Sequence, residues 1–528
     1  MKPYQLQQNN VEYTNSLFYM KRTTILFLLG MFMTASMTAQ NSASSVEVTI
    51  SMDNAIQTNG GSWEGWGTSL CWWANRIGYN PVLTKKSAQL FFDKSKGLGL
   101  NIMRYNVGGG DDPTHDHITR TDSDVPGWMY IDPETGQRQW DYTADQRQLN
   151  VLRAASKAAG QDAYIEIFSN SPPYFMTVSG CSTGNFKSDE DNIKADEYGN
   201  FAEYMAHVAN YMTKNLKFNV KSVSPMNEPN TNYWPAMNYK QEGCHIDAGH
   251  SQSVLLEETR KAFDRYGLQN ILLTASDETN PGKQIEEIQT LSPLARKSIE
   301  RISVHTYGTN SIREMGQLAK DEKINLWMSE VDGNGTAGQN AGEMAAGLWL
   351  ADKIISDIQA LEPSAWVLWQ VIDTHVSTEG YKGRVDKGPL NIAGGYWGTA
   401  WADHDRNQIV LTQKYYAFGQ FSRYIRPGST LINCPTDRRS GVRCLAALDS
   451  KRKHITVVCV NLTAQEKPMN LTLEGMGLNG KVRCYRTSGD TATGEHWTES
   501  TAGKATGNSF SATLAPNSVT TYVIPCRR

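Results

Sequence analysis

The feature that most constrains the fold is a regular alternation of short apolar segments with longer segments of helical periodicity. It runs from about residue 60 to residue 428 and contains eight such pairs. The short segments suit buried strands, whereas apolar residues recur every three to four positions in the longer ones. Strands that alternate with helices form a parallel sheet, and eight such units close that sheet into a barrel. The sequence therefore predicts an α/β chain built on a (β/α)8 TIM barrel.

The predicted elements follow one another without a break in this pattern. We expect the first strand in the later part of 60–73, followed by strands at 101–106, 163–169, 220–228, 271–276, 302–307, 324–330 and 365–370. We expect helices at 83–98, 145–160, 199–215, 250–266, 284–297, 311–321, 340–360 and 411–424.

The pattern changes after Arg426-Pro427-Gly428. Short strand-like segments separated by Gly, Asn and Ser follow, and no helical periodicity interrupts them. We therefore predict that residues 429–528 form an all-β sandwich as a side domain, and that the barrel spans 60–428. An early strand at 45–51 has no partner in the barrel, so we expect residues 40–59 to add a strand to the side domain.

The first 39 residues have the composition of a leader. Met20-Lys21-Arg22 precedes a short apolar run, which ends in small residues before Gln40. A charged start, a short apolar core and a small-residue exit are typical of a secretory signal peptide, with Met20 as the preferred initiator. This run is too short to span a membrane, and the rest of the sequence contains no apolar run of membrane-spanning length. We therefore expect a secreted or periplasmic protein that is not inserted in a membrane.

Composition excludes some partners and leaves others open. The net charge is −3 and the sequence contains no basic runs, which argues against nucleic acid as a partner. We expect a monomer. The 14 Trp and 23 Tyr suit binding to sugars, although most large aromatic residues fill cores. The eight cysteines permit disulfides in an exported chain, and Cys434 and Cys444 are close enough in sequence to bridge, but buried thiols explain them equally well.

Two glutamates lie where predicted strands end. Glu228 follows strand four within Asn227-Glu228-Pro229, and Glu330 ends strand seven. A barrel brings both strand ends to the same mouth, where active sites are found. Paired carboxylates across a sugar-binding cleft are the minimum equipment for breaking a glycosidic bond. Either glutamate alone is explained as a surface residue or half of an ion pair, but the pair at matching positions favours catalysis on a polysaccharide or oligosaccharide.

Several stretches of the chain resemble glycoside hydrolase family 30. The Asn227-Glu228-Pro229 triplet is shared by a large clan of barrels, whereas 415–428 (YYAFGQFSRYIRPG) is similar to the segment that leads from the barrel to the side domain in this family. Three stretches are similar to the fungal endo-β-1,6-galactanase branch of the family. They are 67–75 (GTSLCWWAN), 103–113 (MRYNVGGGDDP) and 327–333 (WMSEVDG), with Cys71 in place of the Ala of that branch. The resemblance implies a retaining mechanism with Glu228 as acid/base and Glu330 as nucleophile.

Further residues near the predicted strand ends suit a sugar site. Asn227 can hydrogen-bond a sugar 2-hydroxyl, an interaction that strengthens in the transition state. We expect Arg104, at the end of strand two, to keep Glu330 ionised. His305 or Tyr307 is expected to face the cleft, although a core histidine is an equal alternative. Trp369 is predicted to stack on sugar, and the weaker candidates for the same task are Trp72, Trp73, Tyr174, Trp234 and Trp397.

The loop after strand two contains Asp111, Asp112, His115, Asp116 and His117. Three interpretations are open for it. The aspartates contact substrate hydroxyls, or they form local turns, or the carboxylates and imidazoles bind a metal. The metal is the last choice, because glycoside hydrolysis by two carboxylates needs neither metal nor cofactor.

Together these features predict an exported retaining endo-β-1,6-galactanase that acts on the side chains of arabinogalactan. The galactan substrate rests on the resemblance alone. The alternatives are another family 30 activity, such as a β-1,6-glucanase, a xylanase or an exo-acting glucosylceramidase-like enzyme, because loop changes suffice to switch among them. A carbohydrate-binding protein without turnover is the alternative from another class.

Overall fold

Eight parallel strands close into a barrel in which each strand pairs with the next and the eighth pairs with the first. The strands are Gly65–Ser69 (β1), Ile102–Asn106 (β2), Tyr164–Phe168 (β3), Val220–Ser224 (β4), Leu272–Glu278 (β5), Arg301–His305 (β6), Asn325–Glu330 (β7) and Ala365–Gln370 (β8). This computed structural model describes residues 45–333, 343–386, 397–478 and 480–527. The predicted signal peptide lies outside these ranges. The predicted TIM barrel is confirmed.

Helices lie between the barrel strands along the chain. They are Trp73–Ile77 (α1), Pro81–Ser87 (α2), Gln146–Ala159 (α3), Tyr198–Lys214 (α4), His250–Tyr266 (α5), Pro281–Thr290 (α6), Pro293–Ser298 (α7), Ile312–Glu322 (α8), Met344–Leu361 (α9) and Gln413–Ser422 (α10). Helix α4 shows why the periodicity is predictive. Its residues Phe201, Met205, Val208 and Met212 follow helical spacing, and all four are buried in the main core.

The single helix predicted at 284–297 is wrong, because the chain forms α6 and α7 with a break between them. Leu291 and Ser292 have extended backbone angles. Helical backbone angles are unfavourable for the residue before a proline, so the helix is interrupted at Ser292. Pro293 then begins the next helix. The Ser292 hydroxyl accepts a hydrogen bond from the Ala295 amide at 3.0 Å and caps α7.

Two small sheets extend the loops of the barrel. After β2, Met129–Ile131 and Arg138–Trp140 form an antiparallel hairpin. After β8, Ile372–Val376, Ala400–Asp403 and Gln408–Leu411 form a three-stranded sheet. These additions lie in connections that follow barrel strands, the part of the fold that forms the mouth.

Charged residues fill part of the barrel interior. The Arg104 Nε atom lies 3.2 Å from one Glu166 oxygen, and Arg301 forms an ion pair with the other. The Arg301 guanidinium also lies 3.5 Å from the centre of the Trp327 ring. All of these side chains are buried. Buried charges are tolerated when they are paired, so this chain of ion pairs fixes the position of Arg104 below the mouth.

The side domain consists of two sheets that face each other across an apolar core. One sheet has the order Val46–Ile50, Lys467–Leu473, Ser509–Leu514 and Lys504–Thr506. The other contains Thr430–Asn433, Val442–Leu448, His454–Asn461, Ser518–Arg527, Arg483–Ser488 and Glu495–Glu499, with Gly477–Leu478 beside Ser518–Arg527. The N-terminal strand Val46–Ile50 runs parallel to Lys467–Leu473. Both ends of the described chain therefore contribute to this one domain.

Helix α10 joins the barrel to the side domain. Its Gln420 amide donates to the Thr487 hydroxyl at 2.8 Å, and Gln420 Oε1 accepts from the Thr521 hydroxyl at 2.6 Å. The Trp497 indole of the side domain donates to the Tyr416 carbonyl of α10 at 2.7 Å. Buried polar and aromatic contacts therefore connect the two parts.

All eight cysteines lie in the described ranges, and each is a buried free thiol. The predicted alternative of a Cys434–Cys444 bridge does not form. Cys444 instead lies opposite Cys459 on the neighbouring strand, with the two sulfur atoms 3.5 Å apart. Among the described helices, none combines the length and apolar character needed to cross a bilayer.

Candidate active site

The two glutamates predicted as a pair meet at the barrel mouth. One carboxylate oxygen of Glu228, one of Glu330 and a ring nitrogen of His305 all lie within 4.8 Å of one another. Both glutamates are largely buried, with 8% and 4% of their surface exposed. Retaining glycosidases hold their two carboxyl groups about 5–5.5 Å apart, whereas inverting enzymes leave about 6.5–9.5 Å for a water molecule. The spacing here matches the retaining geometry.

Glu228 lies in a loop rather than at the end of a strand, which corrects the predicted strand 220–228. Strand β4 ends at Ser224, directly before Pro225, whose nitrogen cannot donate to a sheet. Glu228 has a φ of +47°, an uncommon left-handed conformation for a residue other than glycine. Its amide donates to the Asp277 carbonyl at 2.9 Å, and its Oε2 accepts from the Tyr233 hydroxyl at 2.7 Å. These contacts hold the carboxylate at the mouth.

Glu330 is the last residue of β7, as predicted, and two donors bind it directly. Arg104 Nη1 donates to Oε2 at 2.8 Å, and the Tyr307 hydroxyl donates to Oε1 at 3.1 Å. Burial and the negative charges of Glu228 and Asp277 raise the pKa of Glu330 above its usual value, although the positive charges of His305 and Arg104 oppose that rise. Among its contacts, Arg104 and Tyr307 are the donors that favour the ionised form a nucleophile requires.

His305, the last residue of β6, lies between three carboxylates. Its Nδ1 is 3.2 Å from Glu228 Oε1 and 3.6 Å from Glu330 Oε1, and its Nε2 is 3.2 Å from Asp277 Oδ1. Burial alone would lower the pKa of His305, but these negative charges outweigh it and raise the pKa to about 10. The ring is therefore an imidazolium at neutral pH, buried but in contact with both glutamates.

Arg104 lies in the middle of β2 rather than at its end. Its side chain is fully buried and forms ion pairs with Glu166, Asp277 and Glu330. The guanidinium also lies 4.1 Å from the centre of the Phe168 ring. A planar guanidinium with five donors suits such a set of carboxylates better than a lysine does. Arg104 thus connects the barrel interior to Glu330.

Asn227, Trp72 and Trp369 lie close to this cluster. Asn227 is 5% exposed, and its buried Oδ1 has no hydrogen-bond partner among the described residues, which leaves it free to accept from a ligand hydroxyl. The rings of Trp72 and Trp369 meet edge to face at 5.1 Å and pack with Phe168. The Trp369 amide donates to the carbonyl of Val331 at 2.9 Å, one residue beyond Glu330.

Two of the weaker aromatic candidates, Trp397 and Trp234, occupy different environments. Trp397 is 38% exposed. Trp234 is buried, and its indole donates to the Glu228 carbonyl at 3.2 Å, so it supports the loop that carries Glu228.

Trp73 is the one predicted aromatic contact that the structure contradicts. It begins α1 and is fully buried, and its ring packs against Phe91 at 6.0 Å. Its indole donates to the Ser69 carbonyl at 2.9 Å. The helical turn that begins at this residue directs the ring into the core outside the barrel, whereas Trp72 remains on the cleft side.

Asp111 and Asp112 have separate roles. Asp112 accepts from the Thr114 amide at 2.8 Å and from the Thr114 hydroxyl at 2.7 Å, a local turn as one interpretation predicted. Asp111 instead pairs with His117, at 2.6 Å. Both aspartates line a cavity of about 540 Å³, together with Tyr174. The walls of this cavity, so far as described residues form them, include neither Glu228 nor Glu330. Direct contact of these aspartates with a sugar at the glutamates finds no support here.

Sequence reasoning missed Asp277 and Tyr233. Asp277 lies near the end of β5, where it pairs with Arg104 and His305 and accepts from the Ser329 hydroxyl at 2.5 Å. The signal available was the Asp277-Glu278 pair directly after an apolar strand. Tyr233 is 45% exposed and lies in an irregular loop, so no periodicity could associate it with Glu228.

A TIM barrel with two glutamates this close, one in the loop after strand four and one at the end of strand seven, defines the class of barrel glycoside hydrolases. Comparison with known sequences agrees with that class. The sequence model of O-Glycosyl hydrolase family 30 matches residues 45–255, a range that includes Glu228. Over this range the chain is similar to glycoside hydrolase family 30.

Individual relatives support the same assignment. An endo-β-1,6-galactanase from Hypocrea rufa is 28% identical over 491 residues, which cover 88% of this chain and 93% of the galactanase. An exo-β-1,6-galactobiohydrolase from Bifidobacterium longum is 26% identical over 67% of this chain and 29% of its own length. Among solved structures, the catalytic domain of a family 30 xylanase C from Talaromyces cellulolyticus superposes with a TM-score of 0.67 at 18% identity, over 90% of this chain and 99% of the xylanase.

Proposed function

We propose that the protein is a retaining endo-β-1,6-galactanase in which Glu330 is the nucleophile and Glu228 the acid/base. The observation that carries the retaining mechanism is the separation of at most 4.8 Å between an oxygen of Glu228 and one of Glu330. This spacing leaves no room for the water molecule that an inverting enzyme places between carboxylate and sugar.

The surroundings of each glutamate support its assigned role. Glu330 receives hydrogen bonds from Arg104 and Tyr307, which stabilise a carboxylate that attacks the anomeric carbon. Glu228 contacts His305 and Tyr233 but has no arginine partner in the described structure, which suits a group that alternates between acid and base.

The reaction then takes two steps. In the first, Glu330 bonds to the anomeric carbon while the glycosidic bond breaks and Glu228 gives its proton to the departing oxygen. In the second, Glu228 takes a proton from water, the resulting hydroxide bonds to the anomeric carbon, and Glu330 leaves. Two inversions restore the original anomeric configuration. The free Oδ1 of Asn227 is available to accept a hydrogen bond from the sugar in both steps.

The galactan substrate is supported by relatives. The galactanase and the galactobiohydrolase are both named for β-1,6-linked galactose, and the galactanase aligns over nearly its whole length. They differ in whether cleavage occurs within the chain or at its end. We propose internal cleavage because the longer alignment is with the endo enzyme. We also propose that the protein is exported and acts as a monomer, since its first 39 residues have signal-peptide character.

Product analysis on arabinose-free β-1,6-galactan tests the substrate and the mode of cleavage. We expect a ladder of short oligosaccharides early in the reaction, and NMR of fresh products should show the β anomer first. Release of a single short product from the first minutes would replace the endo assignment with exo cleavage. Cleavage of β-1,6-glucan or xylan with none of galactan would overturn the substrate, and initial α products would overturn the retaining mechanism.

A further inference from the structure

Four side chains from two loops converge at a place that the proposed galactanase mechanism does not use. Asp111, His115 and His117 come from the loop after β2, and Cys181 comes from the loop after β3. One ligand atom from each of the four lies within 4.8 Å of all the others. The cysteine is buried, and the other three side chains are only partly exposed. Residues so far apart in sequence are brought together by the loops of the barrel mouth.

The hydrogen bonds of His117 direct its Nε2 atom towards the other members of the cluster. Its Nδ1 lies 2.6 Å from the Asn238 carbonyl, which can only accept, so Nδ1 carries a hydrogen. In a neutral ring, Nε2 then presents a lone pair to Asp111 Oδ2 at 2.6 Å and to Cys181 Sγ at 3.4 Å. A lone pair facing a carboxylate is repulsive unless a proton or a cation lies between them. A backbone carbonyl that fixes the tautomer of a histidine is the usual support of a metal ligand.

His115 and Cys181 face the same point. The His115 Nδ1 atom is 3.4 Å from Asp111 Oδ2, is shielded from solvent and makes no hydrogen bond. The Cys181 sulfur accepts from the Met237 amide at 3.4 Å and lies 3.1 Å from the Thr183 hydroxyl. Three loops therefore meet here, because Met237 and Asn238 follow β4.

The donor set identifies the chemical class of ion. One carboxylate and one thiolate carry two negative charges, which a divalent cation neutralises, and two imidazoles complete four ligands. Sulfur and nitrogen ligands suit zinc, whereas calcium and magnesium require oxygen. A tetrahedral zinc ion places its ligand atoms about 3.3–3.6 Å apart, given bonds of about 2.0–2.3 Å. The His115–Asp111 and His117–Cys181 separations are 3.4 Å, the Asp111–His117 pair at 2.6 Å must widen, and the remaining pairs lie within 4.8 Å.

An ion can reach this cluster from solvent. Asp111, His115 and His117 line the cavity of about 540 Å³ described above. Two cationic residues, Lys382 and Arg384, line it as well, and both form ion pairs with Asp124. Asp124 partly balances the positive charge of these two residues, so their repulsion does not keep a cation out of the cavity.

We propose that Asp111, His115, His117 and Cys181 form a structural zinc site that ties together the loops after β2, β3 and β4. The ion takes no part in glycoside hydrolysis. It fixes loops at the barrel mouth, where large substrates must bind.

Metal analysis of the full-length protein tests this site. The protein is purified without chelator and then dialysed exhaustively. We expect inductively coupled plasma mass spectrometry to find about one equivalent of zinc per chain. The Cys181→Ser and His117→Ala variants should bind zinc at least about tenfold more weakly in a competition titration, because each loses one ligand. Replacement of zinc by cobalt should give a sulfur-to-cobalt charge-transfer band, which Cys181→Ser abolishes.

Two matched variants serve as controls. Cys526→Ser removes a thiol from the side domain, and His250→Ala removes an exposed histidine from the start of α5. Both should keep the zinc and the cobalt band. A cobalt band that survives Cys181→Ser, or wild-type protein that binds no zinc after chelator treatment and zinc addition, would overturn the proposal.

A melting experiment covers the case of a variant that folds poorly. Zinc added to chelator-treated wild-type protein should raise its Tm, because the ion binds only the folded chain. His115→Ala removes a ring whose Nδ1 makes no hydrogen bond, and it should lose most of that rise. An equal rise in both proteins would show that zinc binds elsewhere.

Discussion

His305 carries the positive charge that allows Glu228, Glu330 and Asp277 to lie close together. Without it, three buried carboxylates would face one another with only Arg104 to balance them. Like charges in a buried site raise the free energy of the folded state, so the imidazolium stabilises the fold as well as the site.

The pKa of His305 predicts how stability depends on pH. A histidine whose pKa rises from about 6.5 in the unfolded chain to about 10 in the folded one stabilises the fold fully below pH 6.5. That contribution is lost as the pH rises through 10. The Tm of the wild type should therefore fall between pH 7 and 10 by more than the Tm of His305→Gln. His250→Gln, at an exposed position, should follow the wild type, and parallel curves for all three proteins would contradict the shift.

Glu330→Gln tests the assigned nucleophile. The amide keeps the size of the side chain but cannot form the covalent intermediate, so kcat should fall at least about a thousandfold while oligosaccharide binding persists. Initial rates and calorimetric titration with product measure the two effects. Glu314→Gln, an exposed change on α8, should leave both unchanged. Turnover above one tenth of the wild-type rate would require a different nucleophile.

At the scale of elements, the packing of α10 against the side domain leaves no space at Gly419. A Cβ atom there would lie 2.3 Å from the Trp497 ring. Gly419→Ala should therefore lower the free energy of unfolding by about 1–3 kcal/mol through overpacking. Gly199→Ala, in the first turn of α4, meets nothing closer than 3.7 Å and should be neutral or stabilise by about 0.5 kcal/mol. Urea titrations of both variants measure the difference, and equal effects would contradict it.

Helices and strands were predictable from the sequence where the apolar residues of one helix face, or of one strand, follow a regular spacing. Helix α5 matches the predicted 250–266 at both ends, because its apolar spacing is regular. The geometry of Glu228 was not predictable to the same degree, since its left-handed φ depends on a contact with Asp277 on another strand. Tyr233 and the His117–Cys181 contact depend in the same way on loops that meet only after the barrel has closed.

At the scale of the whole molecule, the barrel and the side domain share α10 and the aromatic contacts around Trp497. The Trp497 ring lies 5.2 Å from that of Tyr416 and is covered by the Arg423 guanidinium at 4.1 Å. Contacts of this kind favour a single cooperative transition over independent unfolding.

Calorimetry tests this coupling. The wild type should unfold in one transition. Trp497→Ala should lower the Tm but leave a single transition, since the lost contacts belong to both the barrel and the side domain. Phe186→Ala removes an aromatic ring that is 75% exposed and should have little effect. Two resolved peaks in the wild type would show that the parts unfold independently.

The parallel pairing of Val46–Ile50 with Lys467–Leu473 has a consequence for synthesis. Val46 lies opposite Met469, so 423 residues (469 − 46) separate the two partners in the chain. At about 5–20 residues per second, the first strand leaves the ribosome roughly 20–85 s before its neighbour exists. During that interval its backbone donors and acceptors are unpaired, and they could pair with another nascent chain. The side domain can therefore be completed only after translation has almost finished, whereas the barrel strands can pair in the order in which they emerge.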